Sequence, residues 1–154
     1  MGPRIFYRLA HKIRHRWRVW RGVPISGVAM IAQDFEGRLL LLRHSYGPPG
    51  WYLPGGGIRR VETPAQAAER ELKEETGCQA EGIRPVGTFD DVVSGSPHTA
   101  HLFACSTNDQ PVPDGREVIE ARFFPRHSMP EPLSPRTRAR IEAWLEWEKR
   151  SQQG

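Results

Sequence analysis

Between Gly55 and Cys78 the chain reads GGGIRRVETPAQAAERELKEETGC, a short helical pattern crowded with charge and framed by glycines. No other stretch restricts the fold as much. Thr63 offers an N-cap hydroxyl, Pro64 takes the first helical position, where its missing N–H costs nothing, and Gln66 completes a capping box. Gly77 can adopt the left-handed conformation that closes a helix, so the pattern predicts a helix from Pro64 to Thr76. At about 100° per residue, Ala65, Ala68 and Leu72 fall on one arc and Glu71, Glu74 and Glu75 on the adjoining one. One side is built to pack and the other is acidic.

Glu71, Glu74 and Glu75 stand at i, i+3 and i+4, where like charges repel by a few tenths of a kcal/mol per pair in an isolated helix. On its own such a run reads as a solvated face, because charge runs usually are. Carboxylates this close also suit a hard cation, Mg²⁺ or Mn²⁺, with water and substrate phosphate completing the shell. Arg70, next to Glu71, can pair with one carboxylate and hold its rotamer.

The frame decides between these readings. Gly56, Glu62, Arg70, Glu71, Glu74, Glu75 and Gly77, with Leu72 and Cys78 at the apolar positions, fit the pattern G-x5-E-x7-R-E-U-x-E-E-x-G-U. Seven fixed matches would arise by chance on the order of once in a million at background residue usage. The stretch resembles the Nudix box, and Trp51-Tyr52-Leu53-Pro54-Gly55 is similar to the family's usual approach to it. Two positions depart from the pattern. Cys78 is a small substitute for the usual aliphatic, and Arg59 and Val61 sit where many members carry Glu and Gly. Arg59 and Arg60 make this loop more basic.

The resemblance implies an α/β fold, an α/β/α sandwich around a mixed β-sheet. It also implies a metal-dependent pyrophosphohydrolase that cleaves a nucleoside diphosphate linked to another group, by water attack on phosphorus. Carried over by position, Glu74 and Glu75 are metal ligands, Glu71 is a ligand or the general base, and the Gly55 carbonyl is a further ligand. Gly56, Glu62, Arg70 and Gly77 support the box. An additional acid from outside it is expected among Glu117, Glu120, Asp90 and Asp91. The physical reason for such a set is independent of the family: a pyrophosphate is polyanionic, and divalent ions must neutralise it before a nucleophile can approach. Nucleoside triphosphates, nucleotide sugars, ADP-ribose, dinucleoside polyphosphates and capped RNA all remain open as substrates.

Other residues have blander readings beside functional ones. Arg43 and His44 end a strand next to the loop, within reach of a substrate phosphate, although a strand-end arginine is usually solvated. Trp51 and Tyr52 alternate in a strand, so one can stack on a base while the other packs in the core. His98 and His101 read as hydrogen-bonded strand residues rather than ligands. Trp144 and Trp147 read as core or homodimer contacts.

The 154 residues predict one domain with a real core, and 38% hydrophobic against 26% charged residues fits a globular chain. Cys78 and Cys105 lie in apolar surroundings and read as reduced core residues, which places the protein in the cytoplasm. The net charge of +4 hides an asymmetry: seven basic residues and no acid precede Asp34, leaving 15 of the 22 basic residues against all 18 acids. Residues 1–22 thus form a basic arm and 23–154 the catalytic domain. Phe6, Leu9, Ile13, Trp17 and Trp20 give the arm an amphipathic helical period. Its stripe can pack on the domain or a second subunit, lie on an anionic membrane, or carry the arm onto nucleic-acid phosphates. Packing is favoured, because an apolar stripe is most often buried against protein. Val23 to Ala32 suits a first strand better than a signal peptide, being interrupted by Pro24, Ser26 and Gly27 without a clear A-x-A exit.

Further strands are predicted at Ile25 to Gln33, Arg38 to His44, Trp51 to Leu53, Ile83 to Phe89, Thr99 to Ser106 and Glu117 to Phe124, with a second helix from Ser134-Pro135 to about Arg150. Two rivals from other classes remain: a catalytically silent nucleotide sensor, and an adaptor working through the basic arm. The intact set Arg70, Glu71, Glu74 and Glu75 argues against the first, since a pure binder has no need of every acid.

Overall fold

The computed structural model describes residues 25–93 and 95–154, so the basic arm of residues 1–22 lies outside the described residues. Six strands form one mixed sheet. They are β1 (Ile25–Gln33), β2 (Leu39–His44), β3 (Gly55–Gly57), β4 (Glu81–Val93), β5 (Ser96–Ser106) and β6 (Val118–Phe124). Their order is β4-β5-β1-β2-β6, with β3 also pairing β1. β1 runs parallel to β5, and the other pairings are antiparallel. Helices α1 (Pro64–Thr76) and α2 (Pro135–Gln153) cover the opposite faces.

β2 shows why both faces must be covered. Its four consecutive leucines, Leu39 to Leu42, are all fully buried. Side chains alternate across a strand, so an unbroken apolar run feeds two cores at once. Leu40 and Leu42 join Met30, Phe103, Ala67, Ala68, Leu72 and Cys78 on the α1 side. Leu39 and Leu41 join Ile31, Trp51, Leu102, Ile141 and Trp144 on the α2 side. Cys78 and Cys105 are both buried and free, as the sequence led us to expect. Burial pushes the Cys105 thiol up to about 12.

The β1–β2 turn is organised by Asp34. Its Oδ1 accepts from the backbone N–H groups of Glu36 at 3.0 Å and Arg38 at 2.9 Å. Gly37 takes the left-handed conformation there, with φ 81°.

Two strand expectations need correction. Gly55 to Gly57, read as a loop, is a strand on β1, whereas Trp51 and Tyr52 make only isolated bridges to Leu133 and Leu42. β4 is much longer than Ile83 to Phe89 and runs through Pro85, where a register shift between Pro85 and Gly87 absorbs the proline at the sheet edge. Of Trp51 and Tyr52, Trp51 is the one that packs in the core, as the alternation allowed: it is buried, meets Phe124 edge-on at 4.8 Å and lies under the Arg43 guanidinium, so it offers no free platform for a base.

No helix among the described residues is long and apolar enough to cross a membrane.

Candidate active site

The site is assembled where α1 crosses β3. The Thr63 hydroxyl accepts from Gln66 N at 3.2 Å while the Gln66 side chain accepts from Thr63 N at 2.9 Å, closing the capping box. At the other end Gly77 is left-handed and donates to Lys73 O at 2.9 Å. Small Ala67 and Ala68 face the sheet and are buried, so the helix backbone comes close to the strands. That proximity carries the glutamates onto the glycines. A Cβ on Gly56 would lie 2.7 Å from Glu71 Oε1, and one on Gly55 would collide with the Val28 carbonyl. Glycine is therefore required at Gly55 by the β1 backbone, and at Gly56 for Glu71 to keep its place.

Arg70 ties the box together. Nε and Nη2 donate to the two oxygens of Glu62 at 2.6 and 2.9 Å. Nη2 also donates to Gly57 O at 2.9 Å, and Nη1 donates to Glu71 Oε1 at 2.7 Å and Glu74 Oε2 at 3.3 Å. Hydrogen bonding to Arg70 holds the Glu62 carboxyl down to about 2. The same bonds raise Arg70 above its ordinary range. This is a planar, bidentate use of guanidinium that lysine could not reproduce.

The three box carboxylates occupy different environments. Glu75, expected on an acidic face, is buried, with Oε1 accepting from Gly55 N at 2.8 Å. Burial pushes its carboxyl well above the usual range, and the charges of Glu71, Glu117 and Asp114 push the same way. Glu71 is raised by burial against the opposing pull of Arg70. Glu74 is the most open, its side chain 49% exposed.

Of the acids expected from outside the box, Glu117 is the one brought to it. Its charge acts on both Glu71 and Glu75. Glu120 instead pairs with Arg43 at 3.2 Å, Asp91 with Arg140 and Arg136 on α2, and Asp90 accepts from Thr99 Oγ1 at 3.0 Å. His98 and His101 sit on β5 opposite Asp91 and Thr88. Gly55, expected to offer its carbonyl, meets the box through its N–H.

Two residues escaped the sequence reading. Asp114 adds its charge to Glu75 while its Oδ1 accepts from Arg116 N and Val118 N at 2.7 and 2.9 Å. Tyr46, on the loop after β2, is raised above its ordinary range by burial and by Glu117, Glu75, Glu71 and Asp114. Ser45 pins that loop beside Glu117, donating from N to Glu117 O at 2.8 Å and from Oγ to Arg116 O at 2.7 Å. His44 lies between Tyr46 and Tyr52, ring centroids 5.2 and 5.3 Å away. The Tyr52 hydroxyl donates to Pro48 O at 2.8 Å, closing the loop on itself. The signal for Tyr46 was a tyrosine in a Gly/Pro loop just ahead of the box, which by itself names no chemistry.

The donor set is hard oxygen throughout, and the Glu71 charge raises Glu75 in a partly desolvated place, which is the chemistry a divalent cation relieves. Among the described residues no three acidic, histidine or cysteine side chains stand in a preformed cage. Here Arg70 and Arg59 take up Glu71 and Glu74 instead.

Comparison with known proteins agrees with this geometry. The NUDIX domain family model matches residues 23–147, and the chain belongs to that hydrolase family. A relative in Bacillus subtilis (strain 168), "Putative ADP-ribose pyrophosphatase YjhB", is 32% identical over 126 residues, covering 78% of this chain and 60% of its own length. The RNA pyrophosphohydrolase of Hydrogenovibrio crunogenus is 41% identical over 64 residues, 42% of this chain and 38% of that protein. The chain thus spans under two thirds of these relatives. Among solved structures, the MutT NUDIX hydrolase from Burkholderia pseudomallei superposes with a TM-score of 0.70 at 25% identity, over 78% of this chain and 97% of that one.

Proposed function

We propose that this chain is a metal-dependent pyrophosphohydrolase that cleaves a nucleoside diphosphate linked to another group by water attack on phosphorus. The observation that carries this reading is the placing of the box carboxylates over the glycine strand, with buried Glu75 on Gly55 N–H and Glu71 lying against Gly56 in the grip of Arg70. A surface acidic face would be solvated; this one is held in by Arg70 and by Gly55 N–H.

In this reading Glu71, Glu74 and Glu75 would hold Mg²⁺ or Mn²⁺, with Glu117 as the acid from outside the box. Bound there, a divalent ion supplies positive charge to the diphosphate and acidifies water. The chain's own residues do the rest. Arg70 fixes the Glu71 rotamer and ties the loop through Glu62 and Gly57. Glu71, the carboxylate lying against Gly56, would serve as a further ligand or as the general base that takes the proton of the attacking water. Gly55 N–H orients Glu75.

The relatives' names, ADP-ribose pyrophosphatase and RNA pyrophosphohydrolase, support a nucleotide substrate and differ in which one. Residues 1–22 are read as an arm accessory to a domain spanning 23–154. The test is product release from a panel containing ADP-ribose, nucleotide sugars, dinucleoside polyphosphates and 5′-triphosphate RNA, with Mg²⁺ or Mn²⁺ and then with chelator. Turnover of one class, abolished by chelator, is the expected result. Nucleotide binding without turnover of any class would move the protein to the sensor reading.

A further inference from the structure

Glu74 is gripped by two guanidinium groups, Arg70 Nη1 at 3.3 Å from Oε2 and Arg59 Nη2 at 3.3 Å from Oε1. The two arginines are not equivalent. The Arg70 side chain is 16% exposed and its other bonds run to Glu62, Glu71 and Gly57, so it cannot leave without undoing the loop. The Arg59 side chain is 62% exposed, and Glu74 is the one carboxylate its guanidinium meets among the described residues. Its backbone is held separately, by Arg59 N donating to Glu62 Oε1 at 2.8 Å. Arg59 can therefore swing away while the loop stays in place. A guanidinium and a divalent ion draw on the same carboxylate lone pairs, so occupancy by one opposes the other.

We propose that Arg59 is a built-in counter-ion of Glu74 that a divalent cation must displace, and that it sets the ion concentration at which the site fills. The proposal rests on the reading of Glu74 as a metal ligand. It concerns one contact and not the basic character of the loop, because the neighbouring Arg60 carries the same charge without pairing to any carboxylate among the described residues.

The experiment is Mn²⁺ titration of the full chain without substrate, following free Mn²⁺ by its paramagnetic resonance signal, for wild type, Arg59→Ala, Arg59→Lys and Arg60→Ala. Arg59→Ala is expected to bind Mn²⁺ roughly two- to five-fold more tightly, the range open to an exposed ion pair. Arg60→Ala should move less than half as far, and Arg59→Lys should stay close to wild type. Equal tightening in Arg59→Ala and Arg60→Ala would reduce the effect to general field and overturn the proposal. So would unchanged affinity in Arg59→Ala with its thermal unfolding intact. Absence of Mn²⁺ binding in every variant would overturn the metal-site reading as well, and so separates the two failures.

Discussion

The two helices begin alike and end in different work. Each opens with a hydroxyl N-cap followed by proline, Thr63-Pro64 for α1 and Ser134-Pro135 for α2, and each buries one face against the same sheet. What they place there differs. α2 inserts Ile141 and fully buried Trp144, and its buried Arg140 lies over the Phe89 ring with Asp91 at 3.5 Å. Burial lowers that arginine below its ordinary range. α1 instead packs small Ala67 and Ala68, approaches the sheet closely, and spends the room on carboxylates. Arg70, paired with Glu71 and Glu74 on the helix and with Glu62 on the loop before it, is raised where Arg140 is lowered. Arg140, part of the scaffold, meets one carboxylate beside an aromatic ring and a backbone carbonyl; Arg70, at the site, is surrounded by carboxylates that constrain each other.

This contrast can be broken at either helix. Trp144→Ala should cost about 3 to 5 kcal/mol of stability by opening a cavity under α2. Turnover per folded molecule should be retained, and a loss of turnover in the folded fraction would erase the division between the helices. Leu72→Ala, on the packed face of α1, should cost about 2 to 5 kcal/mol in urea denaturation. A negligible cost would mean that α1 is held by its charges.

Smaller effects sharpen the picture. Tyr46→Phe removes a hydroxyl that feels the charges of Glu117, Glu75 and Glu71 and should lower kcat/KM about ten-fold, the scale of one hydrogen bond. Its stability should be unchanged; unaltered turnover would assign Tyr46 to the loop alone. Glu62 tests pH. Its folded-state carboxyl lies near 2 against an ordinary 4.5, so its pairing with Arg70 stabilises the fold above about pH 4.5 and is lost as pH falls toward 2. The stability gap between wild type and Glu62→Gln should close over that window. A gap independent of pH would mean that packing, not charge, holds the loop.

Local signals made α1 fully legible: its cap, its proline and its closing glycine lie within the helix's own neighbourhood, and both ends fall where the sequence put them. β1 was equally clear, bounded as Ile25–Gln33. β3 was hidden because three glycines carry no strand propensity and pair only when β1 is already there. The inner part of the site was hidden for a related reason. Glu75 reads from the sequence as one more residue of an acidic arc, and only the close approach allowed by Ala67, Ala68 and the glycines buries it. Tyr46 and Asp114 reach the box through the pinning of Ser45 to Arg116 and Glu117, a long-range contact without a local pattern. Trp51 and Tyr52 could not be told apart by alternation; packing on Phe124 put Trp51 inside.

The central claim is that the α1 face carries the chemistry, and Glu75→Gln tests it most directly when turnover and urea midpoint are measured on one preparation. Glutamine keeps an oxygen for Gly55 N–H and removes a buried negative charge among like charges. The account predicts turnover lower by at least about 100-fold, the upper end of what losing an outer-shell partner costs a metal site, with a midpoint equal to or above wild type. Retained turnover, or a midpoint lowered as far as by Leu72→Ala, would contradict it.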